Sequence, residues 1–344
     1  MDPHAHRKDE HVFIAEKQFS EVSQNGLDQV RLLPATLPEL ALDDISLETT
    51  LVGKKIAFPF FINAITGGSP RTDMLNEQLA YVATKTGLAF ETGSQSVGLK
   101  FKDSAKGFKN LRENYPLDLL IGNLGAGNSL ENCQKALTML QADALAIHLN
   151  VAQELVMPEG DRSFYWLSEL KKIKDGLTSP LLIKEVGGGI SPNALVKLKE
   201  LGIRYVDLSG SGGTDFIAIE NERRTNKEFD FLTGFGLNTA EVLVAASSFK
   251  NDFSFTASGG IRNALDIAKC IALGADNVGI SGYFLHILLR EGVDSLIDKI
   301  EDMKKQLKKI MLLVGCKNIK ELQESPVILS SELLSFKQQI KKQF

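Results

Sequence analysis

The sequence predicts a closed (β/α)8 barrel, and three observations support this fold class. From about residue 58, short apolar, β-branched runs alternate with longer amphipathic patterns, which indicates repeated βα units around a parallel sheet. About eight such runs follow one another with short connections, more than an open doubly wound sheet normally has. The G-x-G-x-x-G turn that follows the first strand of many open sheets is absent.

The predicted strands lack polar alternation, because the strands of a parallel barrel are buried on both faces. In chain order they are Phe58–Ile62, Leu88–Glu91, Leu117–Gly122, Ala144–Leu149, Pro180–Glu185, Tyr205–Leu208, Ser254–Ala257 and Asn277–Ile280. The clearest helices have polar residues near their starts, and they are Asp73–Lys85, Leu130–Gln141, Asn193–Leu201, Ala240–Ser248 and Asn263–Leu273. Three of them are followed by glycines typical of helix caps, at Gly87, Gly202 and Gly274.

The chain of 344 residues, 43% of them hydrophobic, is long enough for one large core and divides into three parts. Residues 58–290 form the predicted barrel. Residues 1–57 form an N-terminal arm, and residues 291–344 form amphipathic helices, rich in Lys and Glu, that pack on the barrel. A long polar loop, residues 221–235, follows the sixth strand, and long loops in compact domains are often lids.

Composition argues against several classes of protein. The formal net charge of −4 disfavours a nucleic-acid partner, which requires a surplus of Lys and Arg. The N-terminus lacks the apolar region of a signal peptide, and no apolar run reaches the roughly 18 residues of a membrane span. Three widely spaced cysteines, Cys133, Cys270 and Cys316, support neither a disulfide framework nor a metal knuckle. We therefore expect a cytoplasmic protein with no membrane role.

Small and polar residues follow every predicted strand, where a barrel of this kind builds its active site. They are residues 63–68, residues 92–96, Asn123, the group His148, Asn150, Gln153 and Glu154, the pair Lys184 and Glu185, residues 209–214, residues 258–262, and the pair Ser281 and Gly282. The candidate site is therefore the mouth formed by the carboxyl ends of the strands.

The glycines after the seventh and eighth strands predict a phosphate pocket. Glycine lets the backbone approach an anion, and the following helix N-termini offer free N–H groups. Arg262 and Thr214 could add side-chain contacts. One glycine pair alone could merely make a tight turn, but four Gly-containing loops after four strands weaken that alternative.

Lys184 lies within an apolar strand, where an unpaired ammonium group would be costly to bury. Two functional interpretations fit: a Schiff-base lysine, or a cation that stabilises the anionic N1–O2 edge of a reduced flavin. The structural alternative is an ion pair with a neighbouring carboxylate such as Glu185.

The segment from His148 to Glu154 contains a second group of polar residues. Alternation along a strand directs His148 and Asn150 to one side, which favours a site over the structural role that lone histidines usually have. The Glu154 carboxylate could hold Mg²⁺ while a diphosphate supplies further oxygen ligands. The basic pair Arg7 and Lys8 is weak evidence alone, because short basic termini are usually solvated.

Taken together, these motifs resemble the type II isopentenyl-diphosphate isomerases, the FMN-dependent class, over nearly the whole chain. The residues that carry the resemblance are 7–11, 63–68, 92–96, 148–155, 157–160, 184–187, 212–214 with 219–221, and 258–262. Two positions depart from the family pattern: similar proteins often have a basic residue where Ser211 stands and a Trp where Phe235 stands. The first departure puts a cationic contact at that loop in doubt.

The resemblance implies an FMN site at the barrel mouth and a diphosphate site beside it. It assigns FMN to Ala64, Ile65, Thr66, Ser94, Asn123, Lys184, Ser209, Thr214, Gly259, Gly260, Arg262, Ser281 and Gly282. It assigns the substrate to Arg7, Lys8, Ser94, Gln95, His148, Asn150 and Gln153, and Mg²⁺ to Glu154. The arm would thus contribute to the substrate site, from its own or a neighbouring subunit, in a homo-oligomer that is a tetramer or octamer.

The implied reaction adds a proton at one carbon and removes another from an adjacent carbon. The resemblance points to reduced FMN as the acid/base group, with NADPH as the reductant that primes it. The candidate catalytic residues are then Gln153 as a positioning or relay residue, His148 beside the substrate, and Lys184 as the stabiliser of the reduced flavin.

Four alternatives use a similar barrel. A 2-hydroxy-acid oxidase commonly has a His in the loop after strand six, and a nucleotide dehydrogenase has a Cys there; residues 209–214 contain neither. A flavin-free Schiff-base lyase and a non-catalytic phosphate-binding barrel remain open, and a yellow purified protein would exclude both.

Overall fold

The computed structural model describes residues 3–65 and 67–343 and confirms the predicted barrel. The strands are β1 (Val30–Leu32), β2 (Thr49–Leu51), β3 (Lys54–Ile56), β4 (Phe60–Ile62), β5 (Phe90–Glu91), β6 (Leu120–Gly125), β7 (Ala144–Leu149), β8 (Leu181–Glu185), β9 (Tyr205–Asp207), β10 (Ser254–Ser258), β11 (Asn277–Ile280) and β12 (Val327–Leu329). Strands β4 to β11 pair in parallel in chain order, and β11 closes the barrel on β4.

The helices surround this barrel or extend from it. They are α1 (Pro3–Lys17), α2 (Pro70–Thr86), α3 (Ser96–Lys100), α4 (Lys102–Asn114), α5 (Leu130–Leu140), α6 (Val151–Val156), α7 (Leu167–Gly176), α8 (Pro192–Glu200), α9 (Phe216–Glu222), α10 (Thr239–Ala246), α11 (Ala264–Ala272), α12 (Gly282–Glu291), α13 (Val293–Val314), α14 (Ile319–Glu324) and α15 (Ser331–Gln343). Within the described residues, no helix is both long and apolar enough to span a bilayer.

Each predicted strand and helix overlaps an observed one, and the differences lie at the ends. Helix α2 begins at Pro70 because the Ser69 hydroxyl accepts a hydrogen bond from the backbone N–H of Thr72 and Pro70 suits the first helical position. Strand β6 continues past its predicted end at Gly122, through the polar Asn123, to Gly125, which pairs with His148 of β7. The polar end of a barrel strand can thus remain part of the sheet.

The arm and the C-terminal segment are more structured than the sequence indicated. Strands β2 and β3 form a hairpin that closes the amino end of the barrel, where Leu51, Val52 and Ile56 pack against the interior strand residues. Strand β1 of the arm pairs antiparallel with β12 of the C-terminal segment. Helix α1 contacts α2, α9 and α12, and it therefore lies over the carboxyl end of the barrel.

Strand register places three polar side chains at one level of the barrel. His148 of β7 pairs with Lys184 of β8, and Lys184 pairs with Asp207 of β9. Because neighbouring parallel strands are about 4.8 Å apart, side chains at one level that point inward contact one another. These side chains form the floor of a cavity at the carboxyl end of the barrel.

Candidate active site

A cavity of about 870 Å³ opens at the carboxyl end of the barrel, beneath helix α1. Twelve of the predicted cofactor residues line it: Ala64, Ile65, Ser94, Asn123, Lys184, Ser209, Thr214, Gly259, Gly260, Arg262, Ser281 and Gly282. So do Arg7, Lys8, His148, Asn150, Gln153 and Glu154, which were predicted for substrate or metal. Thr66 lies outside the described residues.

Gln95 is the predicted substrate residue that the structure does not bring to the cavity. Its side chain is fully buried behind the wall, where its amide nitrogen donates to the carbonyl of Ala136 over 3.0 Å. Its amide oxygen accepts from the backbone N–H of Asn123 over 3.1 Å. With both ends of the amide occupied in the barrel wall, Gln95 supports the strand end and does not line the cavity.

Lys184 forms the floor of the cavity and is paired with two carboxylates. Its ammonium nitrogen lies 3.2 Å from Oε1 of Glu91 and 3.4 Å from Oδ2 of Asp207, and it donates to Oδ1 of Asn63 over 2.6 Å. Glu185 is not its partner, as the structural alternative supposed. The Glu185 carboxylate instead accepts three backbone N–H groups from residues 186–188, at 2.5–2.7 Å.

The two carboxylates keep Lys184 protonated. Burial alone would lower the pKa of Lys184, but Glu91 and Asp207 outweigh that effect and raise the pKa above its ordinary value. Imine formation requires a neutral amine, so this environment disfavours the Schiff-base interpretation. It suits a fixed cation that stabilises negative charge above it.

His148 stands beside this floor with a fixed ring orientation. Its Nδ1 lies 2.8 Å from Oδ1 of Asn123, whose amide nitrogen donates to Glu91 over 2.7 Å. Burial, together with the positive charges of Lys8 and Lys184, lowers the pKa of His148 to about 3. The imidazole is therefore neutral at pH 7.

The glycine-rich loops meet closely at one end of the cavity. A methyl group at Gly213 would lie 2.7 Å from the backbone nitrogen of Gly260, and one at Gly282 would lie 2.8 Å from Oγ1 of Thr214. Gly260 also has a φ of +69°, which favours glycine. Close approach of the loops, and not turn geometry alone, therefore requires these glycines.

The arm crosses the same end of the cavity, which the sequence did not indicate. The Ser23 hydroxyl donates to the carbonyl of Gly212 over 2.9 Å, and the Asn25 amide donates to the carbonyl of Gly260 over 2.8 Å. The guanidinium of Arg262 lies 4.4 Å from the centre of the Phe19 ring. Residues 19–25 thus cover the predicted phosphate pocket.

This end of the cavity fits a phosphate group. Nε of Arg262 is buried without a hydrogen-bond partner, although the residue lines the cavity. Helix α12 begins at Gly282, so its free N–H groups lie at the cavity wall. An unpaired buried donor next to close-packed glycine backbone is what an FMN phosphate would satisfy.

Helix α1 brings the basic pair to the opposite side of the cavity. Arg7 lies 3.4 Å from Oε1 of Glu159. Burial, followed by the charge of Arg7, lowers the pKa of Lys8 to about 8, against a smaller opposing effect of Glu220. The helix is held on its own barrel, because Asp9 accepts a hydrogen bond from Ser69 over 2.6 Å.

Glu220 organises this side of the cavity, although the sequence assigned it no role. Its buried carboxylate lies 3.0 Å from Nε2 of His11, and it accepts from Gln153 over 3.0 Å and from Arg223 over 2.6 Å. Burial alone would raise the pKa of Glu220, but these partners outweigh it and lower the pKa to about 2. The sequence did contain a signal for this role, because Glu220 places a carboxylate directly after the apolar run 216–219.

Glu154 offers a single carboxylate to a metal ion. Asn150 donates to its Oε1 and the backbone N–H of Asp161 to its Oε2, each over 2.9 Å. Among the residues that the structure describes, no cluster of three His, Cys, Asp or Glu side chains could hold a metal. Mg²⁺ can bind through one carboxylate when water and substrate phosphates complete its octahedron, so the donor set fits that mode.

Comparison with known sequences agrees with the resemblance. Residues 109–329 match the family model described as FMN-dependent dehydrogenase. The isopentenyl-diphosphate delta-isomerase of Latilactobacillus sakei subsp. sakei (strain 23K) is 46% identical, over 96% of this chain and 94% of its own. The enzyme of the same name from Listeria monocytogenes serotype 4a is 41% identical, over 95% of this chain and 92% of its own.

Comparison with solved structures gives the same fold at low identity. A flavocytochrome b2 mutant has a TM-score of 0.69 at 18% identity, over 95% of this chain and 84% of its own. Mandelate oxidase with benzoyl-formic acid has a TM-score of 0.65 at 16% identity, over 93% of this chain and 90% of its own. These likenesses confirm the fold, and at this identity they establish no shared activity.

Proposed function

The chain belongs to the isopentenyl-diphosphate delta-isomerase family, and from this premise we propose how its cavity converts isopentenyl diphosphate to dimethylallyl diphosphate. One observation carries the proposal: cationic side chains line the cavity at two separate ends. The glycine loops with Arg262 form one end, and Arg7 and Lys8 on helix α1 form the other. A cofactor with one phosphate and a substrate with a diphosphate require this arrangement.

FMN would occupy the first end and extend across the floor. Its phosphate would bind the residues 259–262 and the start of helix α12, and its ring system would lie near Lys184. Reduced FMN, when bound, would supply the acid and base chemistry of the double-bond shift. Lys184, held as a cation by Glu91 and Asp207, would stabilise negative charge on the reduced ring.

The side chains of the cavity wall support the assignment of proton transfer to the cofactor. Protonation of an unactivated alkene requires a strong acid that holds its proton at pH 7. Glu220, with a pKa of about 2, is ionised at that pH, and His148, with a pKa of about 3, is neutral. Glu220 therefore has no proton to give, and the neutral imidazole of His148 is far too weak an acid to protonate an alkene, so we assign both to binding and positioning.

The second end would bind the diphosphate. Arg7 and Lys8 would contact its oxygens, and Glu154 would hold Mg²⁺ against them. Gln153, fixed by its hydrogen bond to Glu220, would position the hydrocarbon end or relay a proton. Ser94, His148 and Asn150 would complete the substrate wall.

The remaining parts of the proposal concern the protein as a whole. We propose NADPH as the reductant, a cytoplasmic location, and a homo-oligomer that is a tetramer or octamer. The three cysteines, all free and buried, agree with a reducing compartment.

The proposal is tested by product formation under reducing conditions. The purified protein, reduced with NADPH or dithionite without oxygen, receives Mg²⁺ and isopentenyl diphosphate, and dimethylallyl diphosphate is measured. Product far beyond the reductant supplied is expected. A yellow protein that makes none and instead oxidises a 2-hydroxy acid would overturn the proposal.

A matched pair of variants on helix α1 locates the substrate site. Lys8→Gln should raise KM for isopentenyl diphosphate at least about tenfold, because one charge contact to a phosphate contributes about 1.5–3 kcal/mol. Lys17→Gln should leave the kinetics unchanged, since Lys17 pairs with Glu222 at the surface. Equal KM values for the two variants would place the diphosphate elsewhere.

A further inference from the structure

Four side chains on four neighbouring strands form one hydrogen-bonded chain at the cavity floor. Lys184 of β8 donates to Oε1 of Glu91 on β5 over 3.2 Å. Asn123 of β6 donates its amide N–H to the same oxygen over 2.7 Å. Asn123 Oδ1 then lies 2.8 Å from Nδ1 of His148 on β7. Glu91, Asn123 and Lys184 are all buried, so water does not compete for these bonds.

The chain determines where the proton of His148 lies. Oε1 of Glu91 faces the ammonium group of Lys184, which can only donate, so Oε1 carries no proton itself. As an acceptor, it fixes the N–H₂ side of Asn123 toward Glu91. The amide oxygen of Asn123 must then face His148. Since an amide oxygen can only accept, Nδ1 of His148 has to carry the hydrogen, and Nε2 has a free lone pair.

Protonation of Glu91 would not change this result. Burial raises the pKa of Glu91, and Oε2 is buried without a partner. Any proton that Glu91 held would therefore sit on Oε2, because Oε1 faces the ammonium group of Lys184. The orientation of Asn123 is the same in both protonation states.

The space at Nε2 of His148 is kept free by a glycine. A methyl group at Gly125 would lie 3.1 Å from Nε2, closer than an unstrained carbon–nitrogen contact. Gly125 and His148 both line the cavity. The free lone pair is therefore available to a molecule bound there.

We propose that Glu91, acting through Asn123, is a positioning residue that holds His148 as its neutral Nδ1–H tautomer, so that Nε2 accepts a hydrogen bond from an N–H or O–H donor in the cavity. The proposal rests on the proposed function and refines it. An ionised phosphate oxygen has no hydrogen to give, so His148 binds a water or an ammonium group beside the diphosphate and not the phosphate oxygen itself. Lys8, whose charge acts on His148, is one such ammonium group.

The test reads the tautomer directly and needs no turnover. The flavin-loaded protein is labelled with ¹⁵N-histidine, and the ring nitrogens are identified by nuclear magnetic resonance through their couplings to the ring protons. The chain has five histidines, so the signals of His148 are assigned from their loss in His148→Gln. Without substrate, wild type should show a protonated Nδ1 and an unprotonated Nε2 between about pH 5 and 8, the range in which a free imidazole titrates.

Two substitutions at Asn123 separate positioning from simple packing. Asn123→Leu removes the acceptor, and His148 should then populate both neutral tautomers. Asn123→Asp places a carboxylate at Nδ1, and His148 should become protonated on both nitrogens at a higher pH than in wild type. If Asn123→Leu does not fold, the Asp variant and wild type still decide the question. Asn193→Leu, at an exposed position of helix α8, is the control and should keep the wild-type spectrum.

The outcomes are distinct from those of the activity assay. A wild-type His148 with hydrogen on Nε2, or a tautomer that Asn123→Leu leaves unchanged, would overturn the positioning role even in an active isomerase. An inactive protein with the expected tautomer would instead contradict the proposed function alone.

Discussion

Gln153 donates a hydrogen bond from its amide nitrogen to Oε1 of Glu220, 3.0 Å away, and this bond joins helix α6, after the fourth barrel strand, to helix α9, after the sixth. The bond orients the amide, because a carboxylate can only accept. The amide oxygen of Gln153 then accepts from Asn150 over 3.3 Å. Glu220 therefore fixes a candidate catalytic side chain while its own charge is shared with His11 and Arg223.

Replacement of Glu220 should affect both activity and stability. Glu220→Gln removes the anion that faces Arg223 and His11, and the buried partners left behind should reduce the free energy of unfolding by about 1–3 kcal/mol. We expect kcat to fall at least about tenfold as Gln153 loses its fixed orientation. Denaturant titration and the anaerobic isomerase assay measure the two effects.

Glu222 provides the control for that experiment. It lies on the same helix but at the surface, where it pairs with Lys17 and Lys227. Glu222→Gln should change neither the unfolding midpoint nor kcat, because exposed ion pairs contribute little. Indistinguishable results for the two variants would contradict the role given to Glu220.

The low pKa of Glu220 predicts how stability depends on acid. A carboxyl group with a pKa of 4.5 when unfolded and about 2 when folded stabilises the protein fully above the higher value. That stability, up to about 3 kcal/mol, is lost as the pH falls from about 4.5 toward 2. The unfolding free energy of wild type should therefore fall more steeply in this range than that of Glu220→Gln. If the unfolding free energies of the two proteins fall in parallel with pH, the pKa of Glu220 is not lowered in the folded state.

The pKa of Lys8, lowered to about 8, predicts pH-dependent anion binding. The protonated amine attracts a diphosphate, so affinity should decline above about pH 8, by up to about tenfold per pH unit until the pKa of the complex is passed. Calorimetry with inorganic diphosphate, Mg²⁺ and the flavin-loaded protein measures this decline. Lys8→Arg should remove this decline in affinity, because arginine stays charged. An equal decline in both proteins would mean that it arises from titration of the diphosphate and not of Lys8.

Gly282 provides a test of the phosphate pocket that requires no turnover. A methyl group there would lie 2.8 Å from Oγ1 of Thr214, so Gly282→Ala should crowd the pocket at a cost of about 1–3 kcal/mol, or a roughly 5- to 150-fold weaker affinity for FMN. Quenching of FMN fluorescence measures the affinity. Adding Thr214→Ala should restore part of the loss. If the two changes instead weaken binding additively, the crowding explanation is wrong.

The barrel could be predicted because each βα unit repeats a local pattern of apolar strand and amphipathic helix. The positions of most cavity residues could be predicted for the same reason: a residue that ends a barrel strand lies at the mouth whatever its neighbours do. Gln95 is the informative failure. It follows a strand like the others, but its side chain turns into the wall to bind Ala136, which no local signal reveals.

Pairings between distant segments were beyond sequence reasoning. The partners of Lys184 are Glu91 and Asp207, about a hundred and twenty residues apart from one another in sequence, and only strand register brings them together. The adjacent Glu185 was the natural partner to expect, yet the next residue along a strand points to the opposite face. The contact of β1 with β12 joins the two ends of the chain in the same non-local way.

Substitution of Gly125 by alanine should block Nε2 of His148 without changing the tautomer of the ring. The φ of Gly125 is not in the left-handed region, so the backbone tolerates alanine, but the added methyl would lie 3.1 Å from Nε2. Gly125→Ala should therefore raise KM for isopentenyl diphosphate about tenfold, the equivalent of one lost hydrogen bond, with a smaller effect on kcat. FMN affinity and the His148 tautomer, measured as internal controls, should match wild type. An unchanged KM would mean that no bound donor uses Nε2, since the methyl group leaves that nitrogen too little room to be reached.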